Sequence, residues 1–193
     1  MSEAIVVRTI FAGVREWSFH SPEHKVELTA HALEAGDGSV VVDPIGDPAA
    51  WTGGSPASIV LTNGNHERAA AEWGRRFKCP VWIPGGFDSL LDGARRFGPG
   101  ESPVEGWETV ALDGGAPGET AFRIPALDLV VFGDALVNLP GHGLGILPDK
   151  YCGDPARLRD ALRRLVARPF SRAVFAHGAP LPADASVRIA ALL

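Results

Sequence analysis

The chain is poor in several features that mark common classes of protein. It has only two cysteines, Cys79 and Cys152, which lie far apart in sequence, so a disulfide framework and a Cys-x-x-Cys motif are both excluded. Lysine is scarce beside arginine, and no basic stripe alternates with aromatic residues. Because the net charge is also -5, the chain repels phosphate backbones at long range, and we expect no nucleic-acid partner.

Membrane and export signals are also missing. No apolar run approaches the roughly 20 residues that span a bilayer, so we expect no membrane partner. The first residues are acidic and lead directly into a strand-like segment, without the basic region and apolar stretch of a signal peptide. These absences predict a cytoplasmic protein. The chain also lacks a Gly-x-Ser-x-Gly turn, so a serine hydrolase is not expected.

The residues that are present suit a globular domain. The chain has 193 residues, of which 46% are hydrophobic, and this is enough to bury a core. Its 23 glycines and 16 prolines are spread without a period, which indicates many tight turns between short elements. Length and composition therefore predict a single domain over residues 1–193.

Hydrophobic patterning predicts sheets followed by helices. Strands are predicted over 5–11, 15–20, 26–32, 39–42, 57–61, 79–83, 109–112, 121–124, 127–132 and 173–176. A hairpin turn is predicted at 36–38, and the early strands end at Asp43. Helices are predicted after the turn at 62–65, over 89–97, and from Asp154, which caps a helix with proline first. This order predicts an α/β architecture of two packed sheets with outer helices.

Three segments carry motifs at the ends of predicted strands. They are 59–68 (IVLTNGNHER), 114–121 with 129–136 (GGAPGETA and LVVFGDAL), and 173–181 (AVFAHGAPL). In order and spacing they resemble the metallo-β-lactamase superfamily. The resemblance extends from near Val6 to Leu181, and it implies an αββα four-layer sandwich of two mixed sheets with a hydrolytic metal centre in the cleft between them. Asp43 stands where this family has an aspartate after an early strand.

The residues at the family's first metal position are replaced. Where the family has Thr-His-x-His-x-Asp-His, this chain has Asn63 and Asn65 in place of the first two histidines. Gly115 stands at the third histidine, that of the family's Gly-His-Thr-Pro-Gly segment. Amides are poor zinc ligands, and glycine offers no side chain. The resemblance therefore implies that the first metal, and with it the usual dinuclear centre, is absent.

The family's second metal position is partly kept. Glu67 replaces the aspartate of the motif, while Asp134 and His177 stand at the family's bridging aspartate and final histidine. Arg68 replaces the remaining histidine and is a permanent cation that repels a metal ion. We therefore expect no metal, and we expect Arg68 to lie between Glu67 and Asp134, where its charge takes the place of the metal. The alternative is zinc or iron on Glu67, Asp134 and His177.

Several of these residues also have plain structural interpretations. Asp134 can cap the turn after its strand with His177 hydrogen-bonded to it, and the helix dipole alone explains Glu67. We favour that interpretation over a metal site because a cation stands beside them. His66 falls between the family's ligand positions, so we expect it to point outward. His142, only eight residues after Asp134, is expected in a loop that borders the cleft.

The sequence leaves three hypotheses for function. The first is a non-canonical or catalytically inactive member of the fold that binds a small molecule or a partner in the cleft. The second is a mononuclear metal-dependent hydrolase, and the third is a purely structural subunit. We favour the first, because Arg68 and Gly115 at the family's ligand positions both argue against a metal. The residues expected to line the cleft are Asn63, Asn65, His66, Glu67, Arg68, Gly115, Asp134 and His177. The sequence indicates no particular substrate and no oligomeric state.

Overall fold

Thirteen strands and three α-helices are found in the computed structural model, which describes residues 5–22, 25–36 and 38–193. The strands form two large sheets and one hairpin. Asp37 of the predicted hairpin turn at 36–38 lies outside the described residues. Within the described ranges, no helix is long and apolar enough to cross a membrane.

The first sheet has seven strands that lie side by side in chain order. They are β1 (Arg8–Phe11), β2 (Val14–Ser21), β3 (Val26–Ala35), β4 (Gly38–Val42), β5 (Ser58–Val60), β6 (Val81–Pro84) and β7 (Arg95–Phe97). Strands β1 to β4 follow one another in antiparallel pairs, whereas β4 to β7 pair in parallel. Parallel neighbours need a crossover, and helix α1 (Ala70–Phe77) lies in the crossover between β5 and β6.

The second sheet has four strands in the order β13-β10-β9-β8. Its strands are β8 (Glu108–Ala111), β9 (Thr120–Ile124), β10 (Leu129–Phe132) and β13 (Arg172–Phe175). Strands β10 and β13 are parallel, and the other pairs are antiparallel. Between β10 and β13 the chain forms the hairpin of β11 (Leu136–Leu139) and β12 (Gly143–Ile146), followed by helix α2 (Pro155–Val166). Helix α3 (Ala185–Ala190) follows β13.

Three hydrophobic clusters define four layers. One cluster lies between the sheets and includes Leu33, Val42, Phe122, Val131 and Val174. A second packs α1 on the outer face of the first sheet, and a third packs α2 and α3 on the outer face of the second sheet. The sandwich of two sheets with outer helices, predicted from the sequence, is therefore confirmed.

Helix α2 begins as its sequence predicts. The side chain of Asp154 accepts hydrogen bonds from the backbone N–H groups of Ala156 and Arg157, both at 3.1 Å. Pro155 occupies the first turn, where its missing N–H costs nothing. Leu158 and Leu162 are fully buried on one face of the helix. The cap and the apolar spacing thus fix both the start and the inward face.

The helix predicted over 89–97 is wrong. The structure has a turn there, followed by strand β7, which pairs in parallel with β6. Gly93 has a φ of 72°, a left-handed conformation that ends helical geometry. The apolar residues that suggested a helix divide their contacts, since Leu91 packs toward α1 and Phe97 packs between the sheets.

Candidate functional site

The site lies where strand ends from both sheets meet. Asp43 follows β4 and the segment 62–68 follows β5, and these two strands are parallel neighbours. Asp134 and His177 each lie two residues after the parallel strands β10 and β13. Carboxyl ends of parallel strands meet at one edge of a sheet, where sites commonly form. Two backbone hydrogen bonds join the sheets here, from Thr120 to Thr62 and from Thr29 to Ala176, both at 2.8 Å.

His66 is the centre of a buried hydrogen-bonded network. Its Nδ1 lies 2.8 Å from Oδ2 of Asp43 and 2.9 Å from Oγ1 of Thr62. The Thr62 hydroxyl donates to the same Asp43 oxygen at 2.6 Å, so toward His66 it acts only as an acceptor. The His66 Nε2 atom lies 3.0 Å from Oδ1 of Asp134. One imidazole thus connects the carboxylates of two different sheets.

Asp134 is the point on which the other side chains converge. Its Oδ1 atom also lies 3.2 Å from Nε2 of His177, and its Oδ2 accepts a hydrogen bond from Nδ2 of Asn65 at 2.9 Å. The Nδ1 of His177 lies 3.0 Å from the backbone carbonyl oxygen of Glu27. In the described residues, His66, Asp134 and His177 are the one group whose donor atoms lie close enough to hold a metal ion, all within 4.8 Å of one another.

Each ring nitrogen of His66 and His177 faces an oxygen. A neutral imidazole carries only one N–H, so one nitrogen of each ring faces an acceptor with a lone pair. With Nδ1–H directed to Asp43 in one ring and to the Glu27 carbonyl in the other, both Nε2 atoms point at Oδ1 of Asp134. For His66 that arrangement places a proton or a cation between Nε2 and the Asp134 carboxylate. Zinc and iron accept this donor set of two imidazoles and one carboxylate.

The charges of the network stabilise one another. Burial alone lowers the pKa of His66, but the Asp43 and Asp134 carboxylates outweigh it and raise that pKa to about 9. Burial works in the opposite direction on Asp134, yet the interactions with His66 and His177 hold its pKa well below the usual range. The pKa of Asp43 is likewise lowered against burial by His66. Without a metal, His66 is therefore an imidazolium between two carboxylates.

Asn63, at which the resemblance implied a lost metal ligand, is paired with an acidic side chain. Asn63 is fully buried and donates from Nδ2 to Oε2 of Glu119 at 2.9 Å. The other carboxyl oxygen of Glu119 accepts from the backbone N–H of Ala135 at 2.9 Å. Burial and the nearby Asp134 carboxylate raise the pKa of Glu119 to about 8. Both carboxyl oxygens face N–H donors, and these two hydrogen bonds offset part of the cost of burying the acid.

The side chain of Glu119 occupies the space beside Gly115 that a side chain at this position would need. A Cβ atom built on Gly115 would lie 2.8 Å from Cγ of Glu119, which is closer than packed atoms approach. The sequence analysis predicted that Gly115 offers no metal ligand, but it did not predict that Glu119 would lie against Gly115. An acidic residue directly before the buried strand β9, beside two replaced histidine positions, was the signal that could have identified it.

The expected bridge by Arg68 is wrong. No ion pair joins Arg68 to another described residue, and its Nη1 atom is buried without a hydrogen-bond partner. The carboxylates that interact with its charge are those of Asp43 and Asp134. The Oε1 atom of Glu67 is also buried without a partner, and Glu67 is outside the group that could hold a metal. Backbone geometry separates them, since Arg68 has a φ of 31°, which turns the chain before α1 begins.

The expectation that His66 points outward is also wrong. Asn63 caps the short turn Gly64–His66 by accepting from the backbone N–H of Asn65 at 2.9 Å. This tight turn, which the family's spacing did not predict, rotates His66 inward until it is 2% exposed. Of the predicted cleft residues, Asn65, His66, Asp134 and His177 therefore form one network.

His142 lies in the exposed turn between β11 and β12. The hairpin packs beside the site, because the backbone N–H of Asn138 on β11 donates to the carbonyl of His177 at 3.1 Å. No hydrogen bond is found between the His142 ring and another described side chain. The sequence predicted a loop at this position, whereas the structure has a two-stranded hairpin.

Comparison with known proteins identifies the fold. No family model and no curated protein matches the chain. Among solved structures, the DIM-1 metallo-β-lactamase has 14% sequence identity and a TM-score of 0.79, with 100% of this chain and 98% of that chain covered. The FIM-1 metallo-β-lactamase from Pseudomonas aeruginosa in its mono-zinc form has 16% identity and a TM-score of 0.76, with 99% and 95% covered. TTHA1623 in a di-iron-bound form has 23% identity and a TM-score of 0.63, with 83% and 90% covered. The chain therefore has the metallo-β-lactamase fold.

Proposed function

We propose that this protein is a non-canonical member of its fold, which has lost the dinuclear metal centre and binds a small molecule in the cleft. The observation that carries the proposal is the buried pair of Asn63 and Glu119, hydrogen-bonded at 2.9 Å, since the resemblance implies a first metal ligand at Asn63. An amide is a poor zinc ligand, the Glu119 carboxyl is already bonded to two N–H groups, and Gly115 has no donor to add. The ligand would contact the exposed side of the cleft, where Asn65 lies.

The chain's own residues would hold such a ligand by hydrogen bonds and charge. Asp43 and the Glu27 carbonyl fix the ring orientations of His66 and His177, so neither ring is free to rotate. Asn65 donates to Asp134 and keeps its own carbonyl oxygen as an acceptor for a ligand. Arg68 adds positive charge behind Asp43 and Asp134. These contacts favour a polar ligand.

A second candidate is hydrolysis with one metal ion. The observation that favours it is the convergence of His66 Nε2, His177 Nε2 and Asp134 Oδ1, each ring oriented by an oxygen at its far nitrogen. Histidine ligands of metals usually have such an oxygen partner at the second nitrogen. Zinc or iron held by these three residues would supply Lewis-acid activation of water. His66 thus takes the place that the sequence suggested for Glu67.

Metal content per chain separates the two candidates. We expect elemental analysis of protein expressed with zinc and iron, and purified without chelator or metal-affinity tag, to find fewer than two metal ions per chain. A value near zero supports the binding protein without metal. A value near one that disappears in His66→Ala, Asp134→Ala and His177→Ala, but persists in Glu67→Gln, supports the one-metal hydrolase. Two metals per chain would contradict both.

A further inference from the structure

The buried Glu119 carboxyl connects two separate loops. Its Oε2 accepts from the side-chain amide of Asn63, which follows β5 of the first sheet, and its Oε1 accepts from the backbone N–H of Ala135, which follows β10 of the second. Both distances are 2.9 Å, and Glu119 is only 4% exposed. Hydrogen bonds between buried groups are stronger than those exposed to water, and their loss leaves buried polar groups unpaired.

Both of these loops carry residues of the candidate site. Asn63 uses its side-chain oxygen to accept from the N–H of Asn65, which closes the turn Gly64–His66. Ala135 is the residue directly after Asp134. The contact of His66 with Asp134 at 3.0 Å therefore joins the same two loops that the hydrogen bonds of Glu119 join.

Two glycines leave the room that the carboxyl needs. A Cβ on Gly115 would lie 2.8 Å from Glu119 Cγ, and a Cβ on Gly133 would lie 2.9 Å from Glu119 Oε1. Gly133 would also meet Thr62 Oγ1 at 2.5 Å and Asn63 Nδ2 at 2.7 Å. Any side chain at either glycine would displace the carboxyl or its partner. The hydrogen bond between Asn63 and Glu119 therefore requires a residue without a side chain at position 115.

We propose that Glu119 is a positioning residue, which joins the loops of His66 and Asp134 where the metallo-β-lactamase resemblance implies a first metal ion. In this arrangement a carboxyl group with two hydrogen bonds does the joining. The side chain of Glu119 acts through Asn63 and Ala135, to which it is hydrogen-bonded. The inference rests on the proposed function only in taking these loops as the walls of the site.

The test compares Glu119→Ala and Glu119→Gln with Glu108→Gln. Glu108 is a matched control, because its carboxyl also accepts two hydrogen bonds, from Arg168 on the surface. Glu119→Gln keeps the size but offers one acceptor oxygen where the native carboxyl offers two, so it can satisfy Asn63 or Ala135 but not both. It also serves as the informative variant if Glu119→Ala fails to fold.

The first readout is amide hydrogen exchange followed by NMR, which needs no metal and no ligand. The N–H of Ala135 donates to Glu119 directly, whereas the N–H of Asn65 donates to Asn63, which Glu119 holds. We expect one of these two amides to exchange about tenfold faster in Glu119→Gln, which keeps one acceptor oxygen, and both to exchange faster in Glu119→Ala. Amides in α2 should keep their rates in all three variants. Equal rates at Asn65 and Ala135 in wild type and Glu119→Gln would overturn the proposal, as would a uniform increase across the chain, which marks general destabilisation.

The second readout is cobalt titration followed by visible absorption, applied if wild type binds the ion. We expect Glu119→Gln to bind cobalt about tenfold more weakly and Glu108→Gln to bind as wild type does, because residues behind metal ligands typically affect affinity by 10–100-fold. Unchanged cobalt affinity in Glu119→Gln would overturn the positioning role. If wild type binds no cobalt, the one-metal candidate fails, and hydrogen exchange alone decides the proposal for Glu119.

Discussion

At the scale of single residues, the charge of the site depends on one imidazole between two acids. Asp43 and Asp134 are both buried carboxylates, and each is hydrogen-bonded to His66. Two buried negative charges are costly unless a cation is shared between them. His66 supplies that cation as an imidazolium when no metal is bound. Under the one-metal candidate the same ring would offer a ligand nitrogen after losing its proton, so a proton and a metal ion would compete for that nitrogen.

The pH dependence of stability should reveal the His66 imidazolium. Its pKa is raised from 6.5 to about 9 in the folded protein. A raised pKa gives a stabilising contribution that is complete below the unfolded pKa and is lost as the pH rises through the folded one. We therefore expect the difference in free energy of unfolding between wild type and His66→Asn to fall by about 3 kcal/mol from pH 6 to pH 9.5.

This dependence is measured by urea unfolding of chelator-treated protein at several pH values. His20→Asn is the control, because His20 pairs with Glu27 at 3.1 Å but is exposed, and screening makes such pairs weak. The difference between wild type and His20→Asn should stay small throughout. A difference for His66→Asn that does not change with pH would contradict an imidazolium in the folded state.

At the scale of elements, helix α1 and the early strands hold the loop that follows β4. Trp73 of α1 stacks on Trp17 of β2, with ring centroids 5.4 Å apart and an interplanar angle of 13°. Their indole N–H groups donate to the backbone carbonyls of Gly46 and Ile45, at 2.9 and 3.0 Å. These bonds fix the chain immediately after Asp43. The packing of α1 on the first sheet therefore helps to position Asp43.

Substitution of Trp73 separates packing from this hydrogen bond. We expect Trp73→Ala to lower the free energy of unfolding by about 3–5 kcal/mol, because a fully buried indole leaves a cavity. Trp73→Phe should cost about 1–2 kcal/mol, since the ring remains but the Gly46 carbonyl loses its donor. Urea unfolding measures both, with Trp82→Phe on half-buried strand β6 as the control. A Trp73→Phe variant as stable as wild type would show that the bond contributes nothing.

At the scale of the whole molecule, the site exists only because the two sheets face each other. Asp43 and His66 lie in loops that follow strands of the first sheet, while Asp134 and His177 lie in loops that follow strands of the second. A ligand or cation that bridges these residues therefore binds the folded chain and not the unfolded one. Such binding stabilises the whole fold by mass action.

Thermal unfolding should report a bound metal under the one-metal candidate. With zinc at 100 times its dissociation constant, we expect about 2.7 kcal/mol of stabilisation, and for a chain of this length a rise in Tm of roughly 5–10 °C. The rise should vanish in Asp134→Asn and remain in Glu67→Gln, whose carboxylate lies outside the convergent group. Loss of the rise in Tm in Glu67→Gln would instead support Glu67, Asp134 and His177 as the metal ligands, as the sequence suggested.

The sequence by itself determined the sandwich and the strand ends that carry the motifs. Periodic apolar residues, the Asp154 cap and the positions of Asp134 and His177 are local signals, and the structure agrees with them. Hydrophobic periodicity depends on near neighbours in the chain, so it can be interpreted before the tertiary structure is known. The segment 89–97 was mispredicted because β6 and the core between the sheets decide its conformation.

Only the tertiary structure decided which side chains meet. His66 turns inward because Asn63 caps a tight turn, and Asn63 is held by Glu119 from 56 positions away in the chain. Arg68 misses Glu67 because its backbone turns at a positive φ before α1. Contacts of this kind depend on distances between elements remote in sequence, and on space left by glycines such as Gly115. No local pattern encodes those distances, so the partners of His66 and Glu119 appear only once both sheets are packed.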